Sequence, residues 1–472
     1  MKSRILISLA VLLMLGGLTA VACSNEKETK TAPIPVERAI DENGKEYEVE
    51  PSTTAEQADK EGKQEGSSEV EVIGDTHPPE DNHESNGEDE LDGEEDFNPE
   101  WRTTTVDDEG WVGIDPSIAV DTNGNPHIAY YDQSNRDLKY AYSNGSSWQI
   151  ETVVSTGDVG EESGIAVDSS GNPHISCNSG DKTNALIYAT RSEGSWHIQT
   201  FEQPKGYHVV STSIDLDSRG YPHIIYNIQN GYIKSGVRYT YWDGNAWQTE
   251  NVHANGEDVF MAIDSSDNTH VSFRSENLDE DTNVTRLTYA KRTAGEWSVS
   301  IVDGDTRAGG DTGIAVDSDN RPHIVYRDYG NASVKYAYLD GISWRIQVVD
   351  ANGGGNEGTK IAVDSSNNPH IVYSVEAAPG HEDNGEDEPD DEIELLKYAF
   401  WDGNAWSYEN IAKMGNPAIA IDQQGRVHVA HNRTKEGDPL DYCPDYEGDE
   451  EEIEILKYSW RGNIGETVAK QS

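Results

Sequence analysis

The sequence is short of basic residues: 35 Lys and Arg stand against 88 Asp and Glu, which gives a formal net charge of -53. Such a chain repels phosphate backbones and anionic lipid surfaces, so we expect no nucleic acid partner. Hydrophobic residues make up only 34% and aromatic residues 8%, which excludes a large polytopic membrane protein. The 44 glycines instead favour many short strands joined by tight turns.

Cysteine is scarce as well, with three residues in 472, which excludes a disulfide framework. Cys23 lies near the N-terminus, and Cys177 and Cys443 fall in different parts of the chain. Spacing does not decide whether the last two pair. We interpret Cys177 as a buried strand residue and Cys443 as a loop residue.

The N-terminus has the layout of a secretory signal, with Lys2 and Arg4 ahead of an apolar run over 5–15 and small residues before Cys23. The sequence Ala-Val-Ala-Cys ending at Cys23 resembles the lipobox of bacterial lipoproteins. That resemblance implies a signal peptide over 1–22, a lipid on Cys23 and an anchor in the bacterial cell envelope. Ser24, by the same resemblance, implies the outer membrane; plain secretion is the alternative.

Residues 24–100 carry 26 acidic and 6 basic residues and few aromatic ones. A segment of this composition does not bury enough apolar surface to fold. We therefore expect a disordered acidic linker over 23–97, which as a flexible coil would hold the following domain on the order of 50 Å from the lipid.

Beyond Trp101 the chain repeats with a period near 47 residues. Each unit has four short alternating apolar runs separated by turn residues, which is typical of strands. Four strands per period are one propeller blade, so the sequence predicts an all-β, seven-bladed β-propeller over 98–472. In each unit an aspartate precedes a histidine by six residues: Asp121, Asp168, Asp217, Asp264, Asp317, Asp364 and Asp422 precede His127, His174, His223, His270, His323, His370 and His428.

The ends of the repeat predict how the ring closes. Six units carry a tryptophan at the start of the outer strand, and the seventh has none. The sequence after Trp101 matches that after Trp344, so we expect the N-terminal segment to supply the missing strand and remove an open sheet edge. The C-terminal residues 465–472 are the alternative.

The turns before these tryptophans, such as Asp340-Gly-Ile-Ser-Trp344, resemble the Asp-box of the sialidase-like (BNR) repeat propellers. They lack the residue between Asp and Gly and the leading Ser of that motif. The resemblance covers residues 101–472 and implies the fold only.

The repeated Asp and His residues suggest a catalytic pair, but a site is needed once and this pair occurs seven times. We interpret them as structural, with the aspartate bonding turn amides and the histidine bridging to backbone. The tryptophans are interpreted as packing between blades.

Function is sought where the repeats differ. Along the predicted inner strands, period-two alternation places five acids near one axis, which predicts an acidic channel mouth. The five are Asp115, Glu162, Asp215, Asp258 and Asp311.

The second strands end at the same mouth in polar residues that include Tyr131, Arg274 and Arg327. The two arginines are candidates to clamp a ligand carboxylate, or else they neutralise the acidic mouth. We expect a non-catalytic binding module for a glycan, an envelope component or a protein. The alternative is a sialidase-like glycan-cleaving enzyme, a hydrolase or lyase, with Asp215 as acid or base and Arg274 and Arg327 holding an acidic sugar. Tyr131 is the other candidate catalytic residue. A second titratable group within hydrogen-bond reach of Asp215 in an open pocket would favour catalysis. An Asp215 that is isolated, or plugged by Phe260 and Lys360, would favour binding or a purely structural role.

Two acidic inserts, 381–394 and 434–454, are expected to overhang this face. Their carboxylates attract divalent cations such as Ca²⁺, although neither insert has the ligand spacing of an EF-hand loop. No other cofactor is expected.

Overall fold

The computed structural model describes residues 38–40, 46–48, 100–180, 184–230, 233–276, 284–305, 307–353, 358–377, 393–413, 415–436 and 452–462. The chain divides into two units, 1–66 and 67–472. Among the described residues there is no helix long and apolar enough to cross a membrane. The predicted signal peptide, the lipidation of Cys23 and the position of Cys443 lie outside these residues.

The first unit contains one described element, a short antiparallel pair of strands. β1 (Arg38–Ile40) pairs with β2 (Glu46–Glu48), with Ala39 opposite Tyr47. The prediction of a wholly unstructured linker over 23–97 did not include this hairpin. A pairing of three residues per strand is local and has no sequence period long enough to be recognised.

The second unit consists of β-strands throughout its described part. It begins with β3 (Arg102–Asp107), which belongs to the last blade. Blade 1 is formed by β4 (Val112–Val120), β5 (Pro126–Asp132), β6 (Asp137–Ser143) and β7 (Trp148–Val154). Blade 2 is formed by β8 (Gly164–Val167), β9 (Pro173–Asn178), β10 (Leu186–Ser192) and β11 (Ser195–Phe201). Blade 3 is formed by β12 (His208–Leu216), β13 (Pro222–Asn230), β14 (Ile233–Trp242) and β15 (Trp247–His253).

The remaining blades follow the same order. Blade 4 is formed by β16 (Glu257–Ile263), β17 (Thr269–Glu276), β18 (Thr285–Thr293) and β19 (Glu296–Asp303). Blade 5 is formed by β20 (Ala308–Val316), β21 (Pro322–Asp328), β22 (Ser333–Asp340) and β23 (Ser343–Asp350). Blade 6 is formed by β24 (Thr359–Val363), β25 (Pro369–Ala377), β26 (Ile393–Trp401) and β27 (Trp406–Lys413). Blade 7 is formed by β28 (Pro417–Ile421), β29 (Val427–Glu436), β30 (Glu452–Arg461) and β3.

The seven four-stranded antiparallel sheets close into a ring. Each inner strand contacts the inner strands of both neighbouring blades, with β28 of blade 7 meeting β4 of blade 1. The seven-bladed propeller predicted from the repeat is confirmed. The outermost strand of blade 7 is β3, paired with β30 through Arg102 opposite Trp460 and Thr104 opposite Tyr458. The N-terminal segment therefore closes the ring, as the position of Trp101 predicts.

The repeated aspartate organises the turn between the first and second strands of every blade. One carboxylate oxygen accepts the backbone N–H groups two and four residues further on, at 2.8–2.9 Å in all seven units. The other oxygen faces the histidine Nε2 at 3.1–3.9 Å. The amide bonds satisfy one carboxylate oxygen of every turn, and the structural interpretation of the pair is confirmed. The histidine Nε2 is hydrogen-bonded to the aspartate in blades 4, 5 and 7, whereas Nε2 of His127, His223 and His370 has no hydrogen-bond partner among the described residues.

The histidine partner differs from the expected backbone group. In each blade the histidine Nδ1 contacts a tyrosine hydroxyl of the third strand, as His127 contacts Tyr140 at 2.6 Å. That tyrosine ring packs edge-on against the tryptophan of the following blade, as Tyr140 does against Trp196, and the seven centroid distances are 5.1–5.4 Å. An Asp–His–Tyr–Trp chain thus joins every blade to the next. Trp101 is the seventh member of this tryptophan set.

Candidate functional site

The candidate site is the mouth of the central channel, where the inner strands begin. The position six residues before the repeated aspartate reaches this mouth in each blade. We call the seven residues the mouth ring: Asp115, Glu162, Ser211, Asp258, Asp311, Gly358 and Asn416. Four of the seven are acidic, and these four were predicted from the sequence.

The four acidic members share an unusual backbone. Asp115, Glu162, Asp258 and Asp311 have φ values of 41–52°, in the left-handed region that is costly for residues other than glycine. In blades 1, 4 and 5 the pairing of inner and second strands changes register at this point. The strict alternation of side chains expected along these strands is therefore interrupted at the mouth ring. The left-handed backbone sets the direction of each of these side chains instead.

The structure brings these four carboxylates close enough to influence one another. Desolvation by the surrounding chain and the charges of Asp115, Asp258 and Asp311 together raise the pKa of Glu162 to about 8, while the charge of Lys360 lowers it. The Glu162 side chain is exposed, whereas the other three are half-buried. Burial also raises the pKa of Asp115, and it raises that of Asp258 to about 6. The mouth thus has an acidic wall whose charge depends on pH.

The two predicted arginines lie at the mouth and face acidic ring members of their own blades. Arg274 Nε lies 3.0 Å from Asp258, and its terminal nitrogen donates to Glu257 at 2.6 Å. Arg327 Nε lies 3.2 Å from Asp311. Its other donors bond the carbonyl oxygens of Gly353 and Ser374 at 2.6 and 2.7 Å, and its side chain is 1% exposed. These contacts favour neutralisation of the mouth over an open carboxylate clamp.

Asp215 lies deeper along the wall, at the position that alanine occupies in the other inner strands. Its two oxygens accept the backbone N–H of Leu216 and, from blade 4, that of Ile263, both at 2.8 Å. These amides are its hydrogen-bond partners among the described residues. Burial raises its pKa to about 6. Asp215 therefore joins blades 3 and 4, and the described residues give it no titratable partner.

Tyr131 is buried at the end of the second strand of blade 1, and its hydroxyl donates to Asp158 at 2.7 Å. Burial and this bond raise its pKa. The described contacts do not link Tyr131 to Asp215, so the acid and tyrosine of the enzyme hypothesis are engaged in separate interactions.

A lysine and a phenylalanine from two different blades contact each other near the mouth ring. Lys360 Nζ of blade 6 lies 4.5 Å from the ring centroid of Phe260 of blade 4, an attractive cation–π contact. The positive charge of Lys360 also lowers the pKa values of Asp115 in blade 1 and Glu162 in blade 2. Phe260 and Lys360 thus contact each other, while a channel plug formed by the two stays a prediction.

Several mouth residues were not singled out by sequence reasoning. Tyr329 donates to Asp311 at 3.0 Å, and Asn416 donates to Asp115 at 3.0 Å. Glu257 pairs with Arg274. Asn416 occupies the same repeat position as Asp115, so the repeat itself identifies it as a mouth residue. Tyr329 directly follows the second strand of blade 5, in a turn whose conformation the repeat does not predict.

One group of three carboxylates has the spacing of a metal site in the described part of the chain, formed by Asp303, Asp305 and Asp328. Lys335 Nζ lies among them at 3.1, 3.1 and 2.6 Å. The ammonium group thus supplies the positive charge that a cation would bring. The predicted Ca²⁺ binding concerns the inserts 381–394 and 434–454, most of which lies outside the described residues, and it stays a prediction.

Comparisons with known proteins give similarity of fold only. No protein-family model and no curated protein matches the chain. Among solved structures, a protein of unknown function from Dyadobacter fermentans has 13% identity and a TM-score of 0.45, over 77% of this chain and all of that one. The phage phi92 endosialidase has 8% identity and a TM-score of 0.48, over 77% of this chain and 69% of that one. A PL25 ulvan lyase has 12% identity and a TM-score of 0.49, over 75% of this chain and 95% of that one. At these values the similarities do not identify a ligand or a reaction for this chain.

Proposed function

We propose that the protein is a non-catalytic binding module whose channel mouth recognises a glycan, a cell-envelope component or a protein. The observation that carries the proposal is the state of Asp215, whose two oxygens are bonded by backbone amides of two blades. A general acid or base needs a free oxygen within reach of the reacting group. The mouth ring instead offers fixed polar groups that differ from blade to blade, which suits recognition.

The mouth has a net acidic character that bears on the ligand. Arg274 and Arg327 are directed to carboxylates of their own blades, so neither is preorganised for an anion. Hydroxyl groups of a sugar or polar groups of a protein are therefore better partners than a free carboxylate, because they hydrogen-bond to carboxylates without charge repulsion.

A second candidate function is glycan cleavage. One observation favours it: carboxyl groups with raised pKa values, about 6 for Asp215 and about 8 for Glu162, are the kind that glycan-cleaving enzymes use as acids. The described residues give Asp215 no titratable partner, so we rank glycan cleavage below binding.

A glycan array probed with the purified chain, followed by a product assay on every hit, separates the two functions. Binding without product supports the module. Loss of binding in Asp115→Asn and Arg274→Gln, with binding retained in the control Glu296→Gln on an exposed outer strand, assigns it to the mouth. Product that disappears in Asp215→Asn would establish the enzyme instead. Binding that both mouth variants retain would remove the mouth from the proposal.

We also propose that the module is held on the cell envelope through a lipid on Cys23, with residues 23–97 as the spacer. The support is the lipobox-like sequence and the acidic composition of the segment that follows. In a bacterial host, the chain should fractionate with membranes and enter the detergent phase. Cys23→Ser should release it, and a variant that stays with membranes would contradict the lipid anchor.

A further inference from the structure

The seven junctions between neighbouring blades differ in the polar contacts that cross them on the side away from the channel mouth. That side carries the turns between first and second strands and the hairpins between third and fourth strands. The structure describes all of these turns, and the hairpins of blades 1 to 6. The far sides of the junctions can therefore be compared with one another.

Three junctions are crossed by a pair of hydrogen bonds from a serine in one turn to a side chain in the next blade. Between blades 4 and 5, the Asn320 amide oxygen accepts the backbone N–H of Ser265 at 3.1 Å and its hydroxyl at 2.8 Å. The same two donors are used between blades 3 and 4 and between blades 5 and 6. We call the three contacts the turn bridges: Ser218–Asp267, Ser265–Asn320 and Ser318–Asn367.

The acceptors of the turn bridges hold a backbone conformation that glycine ordinarily takes. Asp267, Asn320 and Asn367 have φ values of 61–69°, in the left-handed region that costs energy for residues with a side chain. Only a side chain reaches the serine of the preceding blade, so the bridge accounts for its presence there. The other four blades have glycine at this position: Gly124, Gly171, Gly220 and Gly425.

Three further junctions have a polar contact of another kind on the same side. An ion pair joins blades 1 and 2, an indole N–H of blade 7 donates to a carboxylate of blade 6, and a guanidinium group of blade 7 donates to a carbonyl oxygen of blade 1. The three contacts are Glu151–Arg191 at 2.9 Å, Trp101–Glu409 at 2.8 Å and Arg426–Gly124 at 3.3 Å.

The remaining junction, between blades 2 and 3, has no polar contact on this side among the described residues. Gly220 replaces the acceptor of the turn bridge, although Ser169 of blade 2 occupies the donor position. Gln199 and Trp242 occupy the positions of the ion pair found between blades 1 and 2. Neither type of polar contact can therefore form here.

Apolar packing closes the far half of this junction. The Trp247 ring of blade 3 lies edge-on to Tyr188 and Phe201 of blade 2, with centroid distances of 5.1 and 5.0 Å. The hydrogen bonds across the junction lie in the half nearer the mouth, and they include Ser176–Thr212 at 2.9 Å, Thr212 to the Glu162 carbonyl oxygen at 3.1 Å and Asn178 to the Val210 carbonyl oxygen at 3.2 Å. The two blades are thus hydrogen-bonded at one end and packed at the other.

Hydrogen bonds are directional and fix the angle between two blades, whereas apolar packing is non-directional and tolerates small changes of that angle. We propose that the ring flexes at the junction of blades 2 and 3, with the pivot at its mouth end, and that the turn bridges hold blades 3 to 6 as one arc. The aromatic packing keeps the junction closed while the angle changes. The proposal concerns the free protein and does not depend on its proposed function.

Spin-label distance measurements on the full chain test this flexing. Ser195 and Asn245 are exposed on the hairpins of blades 2 and 3, and Glu296 and Ile342 hold the equivalent exposed positions in blades 4 and 5. Labels are introduced through Ser195→Cys with Asn245→Cys, or through Glu296→Cys with Ile342→Cys. We expect the first distance distribution to be about twice as wide as the second, because directional bonds cross only the second junction on this side. Equal widths would overturn the proposal.

Two native cysteines are replaced so that they do not take a label. All labelled chains carry Cys23→Ser and Cys443→Ser, and the remaining Cys177 is buried. Circular dichroism spectra show whether each variant has folded, and only folded variants are compared.

Gly220→Asn supplies the missing acceptor at the junction of blades 2 and 3. A Cβ atom at Gly220 meets no atom within 4 Å, and asparagine tolerates its φ of 77°. We expect the Ser169 N–H to exchange with solvent about tenfold more slowly and the distance distribution across this junction to narrow. Gly145→Asn, at a similarly open glycine with φ of 88° on the hairpin of blade 1, is the matched control and should do neither.

The converse variant is Asn320→Gly, which removes one turn bridge at a φ that glycine accepts and should widen the distribution across blades 4 and 5. Slower exchange at Ser169 without narrowing in Gly220→Asn would show that a bridge does not limit the motion, and the proposal would be wrong. If Gly220→Asn leaves the exchange at Ser169 unchanged, Asn320→Gly decides. An unchanged width across blades 4 and 5 then contradicts the proposal, and a greater width supports it.

Discussion

Closure of the ring by the N-terminal strand can be tested at Trp101. The side chain is 2% exposed, packs edge-on against Tyr398 with a centroid distance of 5.2 Å, and donates from Nε1 to Glu409 at 2.8 Å. Trp101→Ala removes this ring and leaves a cavity between blades 6 and 7. Substitutions of this kind cost about 3–5 kcal/mol.

The expected change in melting temperature follows from the size of the domain. For roughly 360 residues, the entropy of unfolding is about 0.8 kcal/mol per degree. Trp101→Ala should therefore lower the melting temperature by about 4–6 °C in a calorimetric or circular dichroism scan. Trp101→Phe keeps an aromatic ring against Tyr398 and loses the bond to Glu409, so it should cost about 1 kcal/mol plus a smaller packing loss.

Trp148→Ala is the matched control. Trp148 belongs to blade 1, whose strands are consecutive in sequence, and makes the equivalent contact with Tyr458 of blade 7 at 5.1 Å. If β3 closes the ring, the two alanine variants should lose similar stability. A Trp101→Ala protein that melts within about 1 °C of the unmodified chain, while Trp148→Ala does not, would refute closure by this strand. Deletion of residues 1–107 should further expose β30 as an open edge and promote association, visible in size-exclusion chromatography.

Three other predictions rest on buried charged or ionisable groups. Lys335→Met should reduce the free energy of unfolding in urea by about 3–5 kcal/mol, because it leaves the surrounding carboxylates uncompensated; a loss below about 1 kcal/mol would contradict this. Burial lowers the pKa of His431 to about 4. As the pH falls through about 6.5, the unfolded chain therefore takes up a proton that the folded chain does not. Between pH 7.5 and 5 the free energy of unfolding of the unmodified chain should fall by about 2 kcal/mol relative to His431→Gln in urea titrations. An equal pH response of the two proteins would exclude that role for His431. Burial raises the pKa of Cys177 to about 12, so a thiol reagent at pH 8 should label it only after unfolding, and rapid labelling of the native protein would show that the site is accessible.

The sequence by itself was sufficient for the architecture, because each blade is encoded locally. Alternating apolar residues specify strands within one period, and the repeated Asp and His residues mark the turn that joins the first two strands. The tryptophan missing from the seventh unit and present at Trp101 even indicated the closing strand. Such features rest on contacts between residues close in sequence or equivalent in the repeat.

The interpretation of the mouth needed the folded chain. Sequence position assigned Asp115, Glu162, Asp258 and Asp311 to the channel, since equivalent residues of a radial repeat lie around one axis. It did not show that Arg274 and Arg327 face their own blades, because the direction of a long side chain depends on the register shift beside it.

Asp215 illustrates the same limit. In the sequence it is an acid at an alanine position and therefore a candidate catalyst. In the fold, the neighbouring inner strand presents the N–H of Ile263 to it at 2.8 Å. Composition, period and repeat thus determined the fold and the set of residues around the channel. Which charges pair and which oxygens are engaged was decided by strand register within a blade and by packing between blades, since those contacts depend on the relative orientation of neighbouring strands, which no local pattern records.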